Sequence, residues 1–419
     1  MARGQSAPGS TESNALHMID RDRLWQAHIE IARIGATAEG GSNRPALSAA
    51  EAEARALLLQ WCEKLGLKLH RDGIGNLFLR RAGTEGRSAV AFGSHLDTVP
   101  TGGRFDGVFG VLAGLEVMRA LQGVPLAAPL ELVVWTNEEG TRFAPAMMGS
   151  RVHAGDMALD AALAVADDDG VTVAEALVES SQVGLSPPGP RDWACWLEAH
   201  IEQGPMLEAE GAAIGVVEGT MQARYFKVKV TGAASHAGAT AMDRRRDSLA
   251  AAAEMILAAE RLGQGAEPDG RSSAAWIVNQ PNARGAVPNV TRLHMDVRHR
   301  SEAGAAGMEQ ALLAAVYEIA ARRKVEVEID PYARFGPVRF DEGLRGLLRE
   351  VAEARQLAVR DAVASAGHDS ILVAGLCPSA MIFVPSRNGI THHPAEYSSA
   401  EQLAAGAQVL LDAVVRLAS

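Results

Sequence analysis

Four short segments of the chain combine histidine with aspartate or glutamate, side chains that bind divalent cations or move protons. In chain order they cover residues 93–107, 137–140, 198–205 and 389–396. Each segment alone is explained about as well by a solvated turn, because short motifs often match by chance. Together they supply three histidines, an aspartate and a glutamate, which would suit two divalent cations roughly 3.5–4 Å apart.

The first segment offers two candidate ligands, His95 and Asp106. A histidine at the end of an apolar run, with Asp97 two residues later, fits a metal ligand whose second nitrogen is held by its neighbour. Asp106 stands among glycines, which let the backbone bend so that a short carboxylate can reach an ion. Asp106 is therefore the natural bridge between two ions.

The other three segments each leave alternatives open. Glu138 and Glu139 directly follow an apolar run, and strand side chains alternate, so one could bind a metal while the other stays free as a general base. The same pair also occurs on ordinary surfaces. His200 lies in a short apolar segment, where a core or surface histidine is commoner than a metal ligand. His392 and His393 precede a proline and indicate either one ligand with a bystander or a solvated loop.

The elements that must position these residues follow an α/β pattern. Apolar runs at 76–80, 88–92 and 130–135 predict strands, while 47–67 and 107–121 predict helices. Alternating strands and helices indicate a layered domain with a largely parallel sheet, whose ligand site lies at the carboxyl ends of the strands. The polar segments fall at those ends.

A different pattern interrupts this domain between residues 212 and 329. The predicted order is β-α-β-β-α-β, a ferredoxin-like arrangement, with elements at 225–231, 247–262, 275–280, 293–299, 302–323 and 325–329. We therefore predict an α/β fold: a mixed-sheet catalytic domain with an inserted ferredoxin-like α+β domain. The predicted boundaries are a flexible tail over 1–19, the catalytic domain over 20–211 and 330–419, and the insertion over 212–329.

Composition narrows the classes of function. The chain has 419 residues and a formal net charge of -11, which argues against a nucleic-acid partner because a phosphate backbone needs a basic surface. Its three cysteines form no CxxC pair, so neither a disulfide framework nor a thiolate zinc site is indicated. No apolar run is long enough to cross a membrane. We expect a cytoplasmic protein.

The polar segments also resemble those of a known family. The chain resembles the metal-dependent amidases of the M20 peptidase clan, the hydantoinase/carbamoylase group of N-carbamoyl-L-amino-acid hydrolases, β-ureidopropionases and allantoate amidohydrolases. The resemblance runs from about residue 20 to the C-terminus. It rests on Gly-Ser-His-Leu-Asp-Thr-Val (93–99), Asn-Glu-Glu-Gly-Thr-Arg-Phe (137–143), Glu-Ala-His-Ile-Glu-Gln-Gly-Pro (198–205) and Ala-Ser-His-Ala-Gly (234–238). His200, where related peptidases carry Asp or Glu, indicates the carbamoylase branch.

The resemblance implies two divalent cations per subunit, zinc, manganese, cobalt or nickel, with Asp106 as the bridge. The implied ligands are His95, Asp106, Glu139, His200 and His392. Glu138 would be the general base acting on a metal-bridging water, and Asp97 would orient His95. His392 is preferred to His393 because it aligns with the family's Ser-His-x-Pro pattern.

The resemblance also implies contacts with a small ureido or amide substrate that carries a carboxylate. His236 would stabilise the tetrahedral intermediate, Arg298 would hold the carboxylate with its bidentate fork, and Gln203 would add a contact. His368 lines the pocket or belongs to a structural loop. In this family the inserted domain closes over the substrate and forms a homodimer, so His236 and Arg298 would act within the chain or across to the partner's site.

One position departs from the family pattern. Gly285 stands where an asparagine is usual, so a side-chain donor is absent or is supplied by Asn289 or Asn282. Such a loss changes what a site accepts rather than its reaction. We expect hydrolysis of the carbamoyl C–N bond of an N-carbamoyl-L-amino acid or similar ureido acid. The alternatives are allantoate hydrolysis and a peptidase or aminoacylase acting on an ordinary amide; a non-catalytic binding protein is disfavoured because every ligand position is filled.

Overall fold

A computed structural model describes residues 17–419. The strands in that range form an eight-stranded sheet, a four-stranded sheet and a two-stranded ribbon. They are β1 (Lys68–Arg71), β2 (Leu77–Arg81), β3 (Ala89–His95), β4 (Leu130–Trp135), β5 (Trp193–Ile201), β6 (Ile214–Thr220), β7 (Gln222–Thr231), β8 (Ser235–His236), β9 (Gly270–Gln280), β10 (Ala286–Val287), β11 (Val290–His299), β12 (Glu326–Phe335), β13 (Val359–Ala364) and β14 (Ser379–Val384).

Most helices of the same range are preceded by a residue whose side chain accepts a backbone amide of the first turn. Ser48 Oγ, for example, accepts the Glu51 amide at 3.2 Å, as the spacing of these two residues predicts. The helices are α1 (Arg21–Arg33), α2 (Ala49–Lys64), α3 (Val108–Ala120), α4 (Met148–Ala154), α5 (Leu159–Leu163), α6 (Val173–Glu179), α7 (Met206–Glu210), α8 (Ser248–Ala266), α9 (Glu302–Arg323), α10 (Glu342–Ala354), α11 (Ser370–Val373) and α12 (Ala400–Ala418).

The eight-stranded sheet has the order β1-β2-β4-β3-β5-β14-β6-β13. Its centre is parallel, since β3 pairs in parallel with β4 and β5, and β14 pairs in parallel with β5. Antiparallel pairs flank this centre, with β2 against β4 and β6 against β14. The predicted mixed-sheet α/β fold is confirmed. The carboxyl ends of four neighbouring strands therefore meet at one edge of the sheet.

Apolar layers cover both faces of this sheet. The strands β3, β4 and β14 are buried throughout, and α1, α3 and α12 pack on one face. The other face carries Trp135, Trp193 and Trp196, whose ring centroids lie 5.7–6.2 Å apart. Burial on both faces fixes the register of the central strands, because a slip of one residue would exchange their two faces.

The four-stranded sheet is antiparallel and has the order β12-β7-β11-β9. Its chain order, β7-α8-β9-β11-α9-β12, is the β-α-β-β-α-β order expected from the sequence. Alternate residues of β7 and β11, such as Phe226, Val228 and Leu293, pack against α8 and α9. The opposite face has no helix on it among the described residues, and Trp276 and Tyr332 are exposed there.

The bounds of this second unit differ from the expected 212–329. Residues Ile214–Thr220 form β6 and pair with β13 and β14, so they belong to the large sheet. These residues belong to the large sheet because Ile214 and Val216 pack in the apolar core between that sheet and the helices α3 and α12. At the other end, β12 continues to Phe335 beside β7.

The predicted tail over 1–19 falls mainly on residues 1–16, which lie outside the described residues. Ile19, by contrast, donates its amide to Gln408 Oε1 at 3.0 Å, so the chain is held against α12 from that point. Within residues 17–419, no helix is both long enough and apolar enough to cross a lipid bilayer.

Candidate metal centre

The carboxyl end of β3 sets the first candidate ligand. His95 is buried and its Nδ1 donates to the Asp97 carbonyl at 2.9 Å, so Nε2 carries the free lone pair. That Nε2 lies 3.6 Å from Glu138 Oε2 and 3.9 Å from Asp106 Oδ1. The Asp97 carboxylate lies 3.8 Å from His95 Nδ1. The hydrogen bond that holds His95 thus comes from the backbone of Asp97.

The Asp97 carboxylate has a different contact. It accepts the backbone amides of Glu138 at 3.2 Å and Glu139 at 3.1 Å, in the turn that follows β4. Beneath that turn, the buried Arg55 donates to the Trp135 carbonyl at 3.2 Å. The amides of the two predicted glutamates are therefore held by Asp97, and the end of the strand before them is held by Arg55.

His200 and His392 approach Asp106 from opposite sides. His200, near the end of β5, donates Nδ1–H to the Ile201 carbonyl at 2.9 Å, and its Nε2 lies 3.1 Å from Asp106 Oδ1. His392 Nε2 lies 3.0 Å from Asp106 Oδ2 and 3.4 Å from Glu139 Oε2. His393 is exposed, and its Nδ1 accepts the amide of Ala395. It is a bystander to this cluster.

The five predicted ligands thus form two groups that share one carboxylate. The first group is His95, Asp106 and His200, and the second is Asp106, Glu139 and His392. Within each group the ligand atoms lie within 4.8 Å of one another. Imidazole and carboxylate in this arrangement suit a pair of divalent cations with Asp106 between them.

A glycine makes room for the cluster. Gly107 has φ +64°, and a Cβ built there would lie 2.3 Å from His95 Nε2. Glycine is the residue that adopts this backbone conformation at little cost and leaves the space free. The amide of Gly107 also points at His200 Nε2, at 3.3 Å.

The electrostatics of the cluster favour added positive charge. Burial raises the pKa of Glu138 well above its usual value, and the nearby charges of Asp369 and Glu139 raise it further. Burial would also raise the pKa of Asp106, but hydrogen bonds with His200 and His392 outweigh it and hold that pKa well below its ordinary range. A buried group of carboxylates is stabilised by protons or by cations, and a metal must displace the protons to bind. The residues present fit divalent cations.

A carboxylate without a predicted role connects two of the ligand loops. Glu396 is buried; its Oε1 accepts the amides of Phe105 at 2.9 Å and Asp106 at 3.2 Å, and its Oε2 accepts the Thr391 hydroxyl at 3.0 Å. It therefore holds Asp106 and the loop of His392 in one unit. Its position in the fourth segment was visible in the sequence, but the two backbone amides that it accepts lie about 290 residues away.

A cavity of about 290 Å³ opens above the cluster. Gln203 Nε2 donates to Asp106 Oδ2 at 2.9 Å, and the ring of the buried His368 lies 4.5 Å from that of His200. The far side of the cavity comes from the small sheet, where Arg298 donates to Asp296 Oδ2 at 2.6 Å and to the Ser365 carbonyl at 2.7 Å. Three of the four predicted substrate contacts, Gln203, Arg298 and His368, line this cavity.

Two predicted residues lie elsewhere in the chain. His236 is exposed in β8, where its Nδ1 accepts the amides of Gly238 at 3.1 Å and Ala239 at 3.0 Å, so a neutral ring carries its proton on Nε2. Asn289 uses its backbone to pair with Gln280 at 2.9 Å. Neither residue lines the cavity within this chain.

The fold and the site together define a class of protein. Histidines and carboxylates lie at the carboxyl ends of parallel strands around a shared aspartate. A buried glutamate, Glu138, lies 3.6 Å from His95 but belongs to neither ligand group, and Arg298 lines the cavity above them. This combination is typical of hydrolases that use divalent cations.

The chain belongs to peptidase family M20/M25/M40, whose sequence model matches residues 91–416. It is 37% identical to an N-carbamoyl-L-amino-acid amidohydrolase of Rhizobium meliloti over 416 residues, which cover 99% of either chain. It is 33% identical to an allantoate amidohydrolase of Bacillus subtilis over 399 residues, 93% of this chain and 95% of the relative. The family resemblance and the hydrolase class expected from the sequence are confirmed.

A solved structure agrees over nearly the whole fold. An amidase of the hydantoinase/carbamoylase family from Burkholderia vietnamiensis superposes with a TM-score of 0.92 at 39% identity, covering 97% of this chain and 99% of that one. A second, from Burkholderia multivorans, gives 0.86 at 41% identity, over 96% and 98% of the two chains.

Proposed function

We propose that this protein hydrolyses the carbamoyl C–N bond of an N-carbamoyl-L-amino acid or a similar ureido acid. The observation that carries the proposal is the shared carboxylate of Asp106, with Glu138 free beside it and Arg298 across the same cavity. A carboxylate that is not needed as a ligand distinguishes a hydrolytic centre from a closed structural metal site. The named relatives supply the substrate class.

In this mechanism one set of residues binds the cations and another residue transfers the proton. His95, Asp106, Glu139, His200 and His392 would hold two divalent cations, of zinc, manganese, cobalt or nickel. When bound, these ions would polarise the substrate carbonyl and lower the pKa of water. Glu138 takes the proton from the attacking water and returns it to the departing nitrogen. Ammonia leaves, and the remaining carbamate decomposes to the amino acid and carbon dioxide.

Substrate binding in this proposal uses the opposite wall of the cavity. Arg298 pairs with the carboxylate of the ureido acid through the N–H groups not given to Asp296 and Ser365. Gln203 and His368 contact the polar end of the substrate near the cations. Closure of the small sheet over the large one would exclude water from the reacting carbon.

We further propose a homodimer in which His236 of one chain serves the site of the other. The strand β9 pairs with β11 alone among the described residues, and it exposes Trp276, Ile277 and Val278. An apolar edge of this kind is suited to pairing with a second copy. The Nε2 proton of an exposed His236 is then available to the oxyanion of the partner's substrate. A cytoplasmic location stays a prediction.

One screen tests the proposal. Metal-free enzyme is reconstituted separately with each of the four cations and supplied with N-carbamoyl-L-amino acids, β-ureido acids and allantoate, with ammonia as the readout. Ammonia from the carbamoyl amino acids is the expected result, and ammonia from allantoate alone would select that alternative. Ninhydrin-positive products from dipeptides or N-acyl amino acids, with no ammonia from any ureido compound, would replace the proposal with a peptidase or aminoacylase.

A further inference from the structure

A second cavity of about 500 Å³ adjoins the metal centre. It shares Gln203, Arg298 and His392 with the cavity above the cluster, and residues of both sheets line it. A molecule whose reacting end lies at the metal centre can therefore extend past Arg298 into this second space. The five ligands, Glu138 and Arg298 account for the first cavity but leave the second without a role.

The second cavity is lined by a group of arginines in a chain whose net charge is -11. The group is Arg271, Arg298, Arg300 and Arg360. Arg271 and Arg298 are direct cross-strand partners in β9 and β11, so their side chains leave the same face of the small sheet. Like charges placed directly opposite each other are destabilising. Such a pair is stabilised when an anion lies between or beside the two guanidinium groups.

The acidic residues of the same wall are engaged elsewhere. Glu202 Oε1 and Oε2 accept the amides of Met206 at 3.1 Å and Leu207 at 2.9 Å, at the start of α7. Asp361 forms an ion pair with Arg349. Arg360 is already compensated, since it forms an ion pair with Glu210 at 2.5 Å and lies near Glu202. Arg271, Arg298 and Arg300 are therefore the arginines left to bind an anion.

The arginines retain unused donors. Arg271 Nη1 donates to the carbonyls of Pro268 and Gly270. The same Nη1 lies 3.7 Å from Glu267 Oε1, which is too far for a hydrogen bond. Arg300 meets Asp269 at 3.4 Å, where both side chains are about half exposed, so this pair is weak. Each guanidinium has five N–H groups in a fork that matches a carboxylate.

We propose that the second cavity binds a second anionic group of the substrate, so that the preferred substrate is a ureido dicarboxylic acid of the N-carbamoyl-L-glutamate or N-carbamoyl-L-aspartate type. Arg298 takes the carboxylate nearest the ureido group, and Arg271 and Arg300 take the side-chain carboxylate. This inference rests on the proposed function, because the metal centre fixes which end of the molecule reacts.

The direct test is a binding comparison between two compounds of the same shape. N-carbamoyl-L-glutamate and N-carbamoyl-L-glutamine are titrated calorimetrically into the manganese-reconstituted Glu138→Gln variant. The glutamate compound should bind about tenfold more tightly or better, as expected for added hydrogen bonds between charged groups. Arg271→Gln and Arg300→Gln should each reduce that preference, whereas Arg33→Gln, which removes the same charge from the exposed end of α1, should keep it. Equal affinities for the two compounds would overturn the inference.

Ammonia release by the unsubstituted enzyme separates this inference from the proposed function. A calorimetric preference for the glutamate compound with no ammonia from either compound would refute the proposed function and leave the anion site standing. If both compounds release ammonia at equal kcat/KM and bind with equal affinity, the proposed reaction is supported and the second anion site is refuted.

Discussion

Asp97 Oδ1 accepts the backbone amide of Glu138 at 3.2 Å. The carboxylate of Asp97 is thus bound to the turn that carries the proposed base, while its backbone carbonyl holds His95. The side chain and the backbone of one residue therefore control two different parts of the centre.

Asp97→Asn tests this division. The amide side chain keeps one acceptor but loses the second, so the turn of Glu138 and Glu139 should shift and kcat should fall by about 10–100-fold. Elemental analysis should show that the cation of the first group is retained, because His95 keeps its backbone partner, while the shifted Glu139 weakens binding in the second group. The exposed Asp160→Asn is the control. Loss of metal with normal turnover per bound ion would instead assign Asp97 to orienting His95.

Glu138→Gln separates the base from the ligands. Turnover should fall by roughly 10²–10⁴-fold, since the amide cannot accept the proton of water. Metal content should be unchanged. The matched variant Glu139→Gln should lose metal, because Glu139 Oε2 faces His392 in the second ligand group. Full activity in Glu138→Gln would remove the residue from the mechanism.

Gly107→Ala tests the packing of the cluster. A Cβ at that position would lie 2.3 Å from His95 Nε2, so the ring must move. Metal affinity should fall on the order of 10–100-fold, as when a ligand is misplaced. Gly123→Ala is a close control: its φ of +80° imposes similar backbone strain, but nothing lies within 4 Å of the added Cβ. Metal affinity that is unchanged in Gly107→Ala, or reduced equally in Gly123→Ala, would contradict the role of the contact with His95.

Removal of metal should make stability depend on pH. Burial lowers the pKa of His200, but its hydrogen bond with Asp106 outweighs burial and raises the pKa to about 9. A base whose pKa is raised on folding contributes stability that is full below its ordinary 6.5 and is lost as pH rises through about 9. The raised pKa values of Glu138 and Glu139 act in the same direction, since their protonated forms are favoured in the folded chain.

Calorimetric unfolding of chelated protein between pH 6.5 and pH 9 checks this expectation. Its unfolding temperature should fall across that interval, and added cation should restore more stability at the upper end, where fewer protons have to be displaced. An unfolding temperature that rises with pH in the metal-free protein would contradict the assignment of His200.

The sequence was most informative where apolar runs meet polar clusters. Residues 89–92 and 132–135 are unbroken apolar segments, so the strands β3 and β4 and the ligands at their ends could be placed. The strand β6 could not, because Gly215 and Gly219 interrupt its apolar pattern and glycine is a poor strand residue. The role of Glu396 depends on contacts with distant residues and has no local signature. Likewise, spacing alone could not tell whether His236 faces the site of its own chain.

The position of His392 has a consequence for how the enzyme matures. It lies in the loop after β14, roughly 300 residues beyond His95, and it completes the second ligand group with Glu139 and Asp106. A growing polypeptide on the ribosome therefore displays His95, Asp106 and His200 long before it can offer the second set. In the proposed two-cation centre, the second cation would therefore be bound only after His392 has been synthesised, so full loading would mark a chain whose last ligand loop has folded.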